Sequence, residues 1–581
     1  MELIETTDTF TLSLTNKRDV VSTLPWFVPQ AKYPPRPANV VVPLINGEMA
    51  FAAVYDAIDK ARHSVEIISW GFDPSMRLKP PHGERLGDLL RRKATGQDGP
   101  AVQVRVLIWK NALANLGENN IIGDGLMGSG GTALGSGVGP TSAGGGSGGQ
   151  AGFNDYGGKL DNSAGVQRDD DEARAYNRNW YTDLPPGLEF RTRDYNLADR
   201  TSITAQQIAR RGLAGPAQTI ALAAFASHHQ KVILVDYESP EDAIGFVMGH
   251  NLLRNYWDTD AHEYHSEARL GFAPWQDLSC QVRGPVLYDL NENLMTAWDK
   301  AGSWWSRSAD WPTKRKALTS DDFLAPAREH GQGVMAQICR TQSQENDRSI
   351  LDAYRLAIGN GRVYLYFENQ YFRYKEMADL IRQVRRKLKG GGWKRDFYVF
   401  VVTNVPDGHG RTNTYEMLAA LGQGQRMPEY HRETERKPDP DAELRKDDLE
   451  GLNIHVATLK SWGTPHGQSE IDYKDIYVHS KLFLADDVFF TLGSANINVR
   501  SMETDSELNI ACPSPSLTRQ WREHLWRIHT GGEPRESIED EFERWGKIIE
   551  DNAEYMSRGQ PLIAPLIDFH DPGEKAWSAM D

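Results

Sequence analysis

One short signature occurs twice in this chain, and the duplication limits what the chain can fold into. Residues 229–236 read HQKVILVD and residues 479–486 read HSKLFLAD, so both follow the pattern His-x-Lys-x4-Asp. Successive side chains of a strand point to opposite faces, which places the histidine and the lysine of each copy on one face. The four apolar residues that follow suit the buried part of that strand. Two copies indicate two similar structural units.

The segments around the signatures repeat as well. Residues 55–72 and 354–372 each read as an amphipathic helix, a small polar turn and an apolar strand. A further helix and strand follow each segment, at 83–95 and 102–109 in the first half and at 376–388 and 397–403 in the second. Strands that alternate with helices predict an α/β fold with a largely parallel sheet. Two copies predict a molecule of two lobes.

The 581 residues are enough for two large lobes. We predict a first lobe at 1–320 and a second lobe at 321–581, because charged and proline-containing segments indicate a boundary near residue 320. Residues from about 123 to 165 are rich in Gly and Ser and offer little apolar surface to bury, which predicts a mobile insertion in the first lobe. Residues 515–552 read as helical, so we expect C-terminal helices on the second lobe.

The residues of the two signatures suit the cleavage of a phosphate diester. Such a diester is negatively charged, so the ammonium groups of Lys231 and Lys481 would stabilise the charge that develops in the transition state. One neutral imidazole can attack phosphorus to give a phosphohistidine, and the other, when protonated, can donate to the leaving alcohol. His229 and His479 are therefore the candidate catalytic histidines. Because the lysines supply positive charge, this chemistry needs no metal or other cofactor.

Each signature is followed by a second strand that ends in small residues and an asparagine. These strands read FVMGHN at 246–251 and TLGSAN at 491–496. Small residues let a phosphate approach the backbone, and an amide supplies hydrogen-bond donors. We therefore predict that Asn251, Asn496 and Ser494 bind the substrate phosphate.

Other ionisable residues are better interpreted as structural. We expect the signature aspartates, Asp236 and Asp486, to be structural ion-pair partners. His262 and His265 are one residue too close for the zinc pattern His-Glu-x-x-His, and the three cysteines contain no Cys-x-x-Cys pair. The sequence therefore predicts no metal site.

The duplicated signature resembles that of the phospholipase D superfamily. Four further segments resemble its phosphatidyl-hydrolysing branch: PWQDLSCQVRGP (274–285), YFENQYF (366–372), IYVHSKLFLADD (476–487) and GSANINVRSMETDSEL (493–508). The resemblance implies two pseudo-repeated α/β/α sandwich lobes with a single active site at their interface. It also implies that an acid downstream of each signature orients a histidine. Matched residue by residue, it assigns Asp277 to His229 and Glu507 to His479, with His229 as the nucleophile and His479 as the general acid and base.

The net charge of −15 argues against nucleic acid, because surfaces that bind it concentrate Lys and Arg. With the resemblance, this charge favours a membrane phospholipid that is hydrolysed to phosphatidic acid and a free headgroup. A nuclease that uses the same residues is the main alternative. Synthesis of cardiolipin or phosphatidylserine is less favoured because it usually comes with a membrane anchor. A non-catalytic binding module would not need both histidines and both lysines.

The N-terminus, MELIETTDTF, lacks the apolar run of a Sec signal peptide. We therefore expect synthesis in the cytoplasm without a Sec signal. A narrower resemblance is to phospholipase D effectors of bacterial type VI secretion. It implies delivery into the periplasm of a target cell, a secretion-system component as one partner and a cognate immunity protein as another.

Overall fold

The computed structural model describes residues 25–109, 164–211, 222–223, 226–301, 311–325, 333–406, 410–435 and 449–573. Nearly all of the glycine-rich segment predicted at 123–165 lies outside these ranges. A helix with the length and apolar character of a membrane span does not occur in this described part of the chain.

The first lobe is built on one mixed sheet. Its strands are β1 (Arg36–Ile45), β2 (Ser64–Ser69), β3 (Gln103–Trp109), β4 (Leu188–Arg193), β5 (Val232–Val235), β6 (Ile244–Met248), β7 (Trp275–Gln276) and β8 (Leu278–Arg283). The strand order is β4-β3-β2-β5-β6-β8-β1. Strands β2, β3 and β4 are parallel, and the other neighbours are antiparallel. The helices are α1 (Asn46–Lys60), α2 (Leu86–Thr95), α3 (Ala164–Thr182), α4 (Leu197–Arg211), α5 (Val286–Ala301) and α6 (Thr313–Ala317).

The second lobe repeats this sheet. Its strands are β9 (Val334–Gln342), β10 (Asp347–Arg348), β11 (Tyr364–Asn369), β12 (Phe397–Val402), β13 (Leu452–Gly463), β14 (Asp472–Val478), β15 (Lys481–Ala485), β16 (Phe489–Gly493), β17 (Glu507–Pro513) and β18 (Leu566–Asp568). The order β13-β12-β11-β15-β16-β17-β9 matches the first sheet strand for strand. The helices are α7 (Ser349–Asn360), α8 (Lys375–Gly390), α9 (Arg411–Ala420), α10 (Pro428–Glu435), α11 (Pro515–Thr530) and α12 (Ile538–Ser557).

The elements form where the sequence pattern predicts them. All six residues of β12, FYVFVV, are buried, as expected for a strand with a parallel neighbour on each side and helices on both faces. Helix α2 ends at Gly96, whose φ of +69° suits a residue without a side chain. Helices α11 and α12 account for the helical region predicted at 515–552.

Helices cover both faces of each sheet. In the first lobe, Phe51 and Val54 of α1 lie in one hydrophobic cluster with Val104 and Val106 of β3. The opposite face of that sheet packs on α5 and continues into one core with the inner face of the second sheet. In that shared core the ring centroids of Phe400 and Trp526 lie 4.6 Å apart. The structure therefore shows the α/β fold of two repeated lobes that the sequence predicts. The prediction of a largely parallel sheet is wrong, because only three neighbouring strands in each sheet are parallel and the other pairings are antiparallel.

The lobes also meet through their backbones. The equivalent edge strands β1 and β9 pair antiparallel, with Arg36 opposite Ala336. Strand β7 of the first lobe pairs with β14 of the second, where Trp275 lies opposite Tyr477. The first described residues pack on the second lobe, since the backbone N–H of Val28 donates to the side-chain oxygen of Gln337 at 2.9 Å.

Candidate active site

The two signature histidines lie where the strand ends of the two lobes face each other. The backbone N–H of His229 donates to the carbonyl of Ser506 at 2.8 Å, and that of Ser506 donates to the carbonyl of Ser227. The backbone N–H of His479 donates in the same way to the carbonyl of Gln276 at 2.7 Å. Each signature is therefore hydrogen-bonded to a segment of the other lobe.

These backbone pairings give each histidine an acid from the opposite lobe. Nδ1 of His229 lies 3.0 and 3.1 Å from the two carboxylate oxygens of Glu507. Nδ1 of His479 lies 2.8 Å from Oδ2 of Asp277. The predicted pairing of Asp277 with His229 and of Glu507 with His479 is therefore wrong. The two acids are in the site, but the segment that carries each one pairs with the signature of the other lobe.

Electrostatic coupling shows that the two histidines share one site. The pKa values of both lie well below the usual imidazole value, with burial as the largest cause. Lys231 and then Lys481 lower the pKa of His229 further, while Lys481, Lys231 and His229 lower that of His479. Tyr256 of the first lobe also places its hydroxyl 3.4 Å from Nε2 of His479. Near neutral pH both imidazoles are therefore neutral.

The two lysines are held alike. Nζ of Lys231 donates to the carbonyl of His229 at 2.8 Å. Nζ of Lys481 donates to the carbonyl of His479 and to Oε1 of Gln370, the latter at 3.2 Å. Burial lowers the pKa of Lys231 to about 8 and that of Lys481 well below its usual value. An ammonium group has three N–H donors, so each lysine keeps a donor for a phosphate oxygen.

Both acids are buried, but their surroundings differ. Burial raises the pKa of Glu507 to about 7 and that of Asp277 to about 8. Glu507 accepts hydrogen bonds from the hydroxyls of Ser494 at 2.5 Å and Ser501 at 2.7 Å. Oδ1 of Asp277 accepts from the backbone N–H of Leu278 at 2.8 Å. The Glu507 carboxylate is thus fixed by side chains and that of Asp277 by backbone.

This arrangement changes the role predicted for Ser494. Its hydroxyl carries one proton, which is donated to Glu507, so Ser494 supports the acid and is not placed to donate to a phosphate. Gly249 is its equivalent in the first lobe. A Cβ atom at Gly249 would lie 2.3 Å from Oδ1 of Asp277, so this small residue makes room for the acid.

The two asparagines follow the equivalent strands β6 and β16. Oδ1 of Asn251 accepts from the backbone N–H of Gly71 at 3.1 Å, and its Nδ2 donates to the hydroxyl of Tyr256 at 2.8 Å. Asn496 is buried, and within the described residues its Oδ1 has no hydrogen-bond partner. Phosphate binding by Asn251 and Asn496 stays a prediction.

Each signature aspartate forms hydrogen bonds with backbone amides of its own lobe. Each carboxylate accepts three backbone N–H groups where the chain enters β2 or β11. The donors are Arg62, His63 and Ser64 for Asp236, and Arg362, Val363 and Tyr364 for Asp486. Their role is structural, but the partners are backbone amides and not the ion-pair partners that we expected. These amides lie beyond the sheet hydrogen bonds, and a carboxylate satisfies them.

His262 and His265, which resemble part of a zinc motif, contact other protein groups. Nδ1 of His262 lies 2.9 Å from Asp258, and its Nε2 lies 2.8 Å from Oε1 of Gln276. Nε2 of His265 lies 2.9 Å from the carbonyl of Thr464.

The sequence analysis missed several residues of the site. Tyr256 contacts His479, Ser501 contacts Glu507, and the ring centroid of Trp70 lies 6.1 Å from that of His229. Ser501 lies in a π-helical turn, Arg500–Thr504, a rare local structure that is frequent at functional sites. The aromatic residues belong to no motif. The one sequence signal was their place in the repeat, because Tyr256 and Ser501 each come five residues after an equivalent asparagine.

Comparisons with known proteins point to one superfamily. The family described as "Cardiolipin synthase, PLD-like domain" matches residues 447–529. Phospholipase D alpha 2 of Brassica oleracea var. capitata is 23% identical and aligns over 85% of this chain and 66% of its own length. Phospholipase D alpha 2 of Arabidopsis thaliana is 24% identical over 54% of this chain and 50% of its own length. This chain thus spans half to two thirds of these relatives.

Among solved structures, the phosphatidylserine synthase of Haemophilus influenzae Rd KW20 aligns over 89% of this chain and 93% of its own chain, with 12% identity and a TM-score of 0.41. The family match covers the second signature, and the plant relatives extend the similarity across both lobes. Over both lobes, this chain is therefore similar to proteins of the phospholipase D superfamily.

Proposed function

We propose that this protein is a phospholipase D-type phosphodiesterase. It would hydrolyse glycerophospholipids to phosphatidic acid and a free headgroup through a phosphohistidine. The observation that carries this proposal is the crossed arrangement, in which two acid–histidine pairs and two lysines from both lobes surround one site. Two positive charges and two neutral imidazoles suit a substrate with one phosphorus atom and one negative charge.

In the first step His229 attacks. Its Nδ1–H donates to Glu507, which leaves the Nε2 lone pair free to bond to phosphorus. The side chain of His229 is 14% exposed and that of His479 is 4% exposed, so His229 is the more accessible. As the P–N bond forms, the P–O bond to the headgroup breaks, and His479 gives its Nε2 proton to the leaving oxygen.

His479 takes that proton from solvent when substrate binds. The lysines lower the pKa of His479, and the negative charge of an entering phosphate offsets them. The pKa of His479 therefore rises when substrate binds. Asp277 at Nδ1 stabilises the resulting imidazolium and holds its Nε2–H toward the leaving group.

In the second step water replaces the headgroup. Neutral His479 takes a proton from water, the water oxygen bonds to phosphorus, and the P–N bond to His229 breaks. Phosphatidic acid leaves. His229 is again a neutral imidazole, and His479 holds the proton that it took from water. Lys231 and Lys481 stabilise the phosphoryl oxygens in both steps.

Two observations support lipid as the substrate. The similar plant proteins are named phospholipase D. The net charge of −15 also opposes the approach of a nucleic acid.

Incubation of the pure protein with mixed phospholipid vesicles and, separately, with plasmid DNA tests the proposal. We expect phosphatidic acid by lipid mass spectrometry, an intact plasmid on gels, and no product from His229→Ala. His265→Ala is the control, because this exposed histidine lies outside the site and should leave the yield unchanged. Plasmid nicking without phosphatidic acid would show that the protein is a nuclease of the same superfamily.

We further propose, from the resemblance, that the protein acts as an antibacterial effector delivered by type VI secretion and is restrained by an immunity protein. Expression in the bacterial periplasm tests this role. Loss of viability that depends on His229 supports it, and normal growth with active protein in the periplasm contradicts it.

A further inference from the structure

One buried carboxylate connects the residues that adjoin His479 and Asp277 in the chain. Oε1 of Glu368 accepts hydrogen bonds from the hydroxyl of Ser480 at 2.6 Å and from Nε2 of Gln276 at 2.8 Å. Ser480 follows His479, and Gln276 precedes Asp277. A single oxygen atom therefore holds both segments that form the second acid–histidine pair.

The other oxygen of Glu368 is equally constrained. Oε2 accepts from the hydroxyl of Tyr366 at 2.5 Å and lies 2.8 Å from Nε2 of His529. Glu368 and His529 are fully buried. Burial raises the pKa of Glu368, but His529 beside it and the hydrogen bonds from Ser480 and Tyr366 together bring it below the usual value. Glu368 is therefore an anion with four partners, and such charge-assisted hydrogen bonds are the strong ones.

Gln276 is also held on its other side. Its Oε1 faces Nε2 of His262 at 2.8 Å, and Nδ1 of His262 faces Asp258, which accepts from Arg269 at 3.0 Å. The amide of Gln276 cannot turn over without placing its oxygen against the carboxylate of Glu368. The position of the segment before Asp277 is thus fixed from two directions.

The first lobe has no acid at the equivalent position. Glu368 lies opposite Leu482 in the second sheet, and Ile68 lies opposite Val232 in the first. Leu482 and Val232 each follow a signature lysine, so Ile68 is the counterpart of Glu368.

Neutral groups hold the first acid–histidine pair instead. Nε2 of Gln230, the residue after His229, donates to the hydroxyl of Ser506 at 2.9 Å. The hydroxyl of Ser506 donates to Oε1 of Gln342 at 2.7 Å. The buried carboxylate near His229, that of Asp505, accepts from the backbone N–H of Ser227, whereas the carboxylate of Glu368 joins both segments of its pair through side chains.

From this asymmetry, and on the basis of the function proposed above, we propose that Glu368 is a positioning residue for the acid–base half of the reaction. Through Ser480 and Gln276 it keeps Nε2 of His479 aligned with the leaving oxygen and then with the attacking water. Attack by His229 does not depend on it. A displacement of about 1 Å in a catalytic group can lower a rate by roughly 100-fold.

Two substrates separate these roles. Phosphatidylcholine has a poor leaving group that needs a proton from His479. Phosphatidyl-p-nitrophenol releases a stable phenolate without that proton, so its initial burst reports attack by His229 alone. For Glu368→Gln we expect kcat on phosphatidylcholine to fall roughly 10- to 100-fold with little change in KM, while the burst rate stays near that of the wild type.

Ser480→Ala is the second variant. It removes one hydrogen bond and leaves the carboxylate its other three partners, so it keeps the test decisive if Glu368→Gln does not fold. We expect the same pattern with a smaller loss. Gln342→Leu is the matched control in the first lobe, and it should slow the burst instead.

In Glu368→Gln and Ser480→Ala, the burst rate could fall by the same factor as kcat on phosphatidylcholine. That result would overturn the role of Glu368. Unchanged turnover in both would do the same. An inactive wild type on both substrates would instead refute the proposed phospholipase activity.

Discussion

Nδ1 of His479 lies 2.8 Å from Oδ2 of Asp277, a residue 202 positions earlier in the chain and in the other lobe. His229 and Glu507 repeat this relationship across 278 positions. Neither lobe alone therefore holds a complete acid–histidine pair, and the predictions below follow from this arrangement.

The crossed pairs predict which acid tunes which histidine. Removing a carboxylate from beside an imidazole lowers its pKa, since the positive form loses its partner. Glu507→Gln should therefore lower the pKa of His229 and leave that of His479 nearly unchanged, and Asp277→Asn should do the reverse. Both variants should lower kcat by about 10²- to 10⁴-fold. NMR titration of labelled histidines checks the assignment, and a shift of His229 in Asp277→Asn would contradict it.

Substitution of His229 and substitution of His479 should block different steps of the reaction. His229→Ala removes the nucleophile, so no phosphoenzyme should form. His479→Ala should still form it from phosphatidyl-p-nitrophenol but hydrolyse it roughly 10²- to 10⁴-fold more slowly, because no base activates water. Rapid quenching at alkaline pH, where phosphohistidine survives, followed by mass spectrometry measures the two species. Accumulation in His229→Ala and not in His479→Ala would reverse the two roles.

The lysines predict the alkaline limit of activity. Burial lowers the pKa of Lys231 to about 8, and its charged form binds the phosphate. The charge is present below that pH and is lost as pH rises through it, so kcat/KM on phosphatidyl-p-nitrophenol, which needs no proton from His479, should fall above about pH 8. Measured pH profiles of kcat/KM check this, with His265→Ala as the unchanged control. A plateau that persists toward the usual lysine value of 10.5 would contradict it.

The signature aspartates predict a loss of stability. Asp486 accepts three backbone N–H groups, and an amide in its place would direct a donor at one of them. Asp486→Asn should lower the free energy of unfolding by about 1–3 kcal/mol. Urea unfolding measures this change. Asp475→Asn is the control: its side chain is 77% exposed and forms a surface ion pair with Lys460, so no measurable change is expected.

The sequence identified the candidate histidines and lysines because the signature is local. His229, Lys231, His479 and Lys481 all lie in the site, and the repeated helix–strand pattern predicted the two sheets. The assignment of Asp277 and Glu507 to histidines failed, because it depends on which segments pair across the lobes. No local pattern reports such a pairing.

The contacts of Glu368 could not be predicted from local sequence either. An acid within the apolar strand YLYFEN is a local sign of a buried carboxylate that needs partners. Two of those partners, Gln276 and His529, lie 92 and 161 positions away, so their identity required the fold.

The exchange of acids between lobes also bears on how this protein can evolve. A substitution in one repeat acts on the histidine of the other, so the two repeats must change in step. Recombination that replaced one repeat with that of a distant relative would preserve both signatures and still disrupt both pairs. Selection therefore acts on the duplicated halves as one inherited unit.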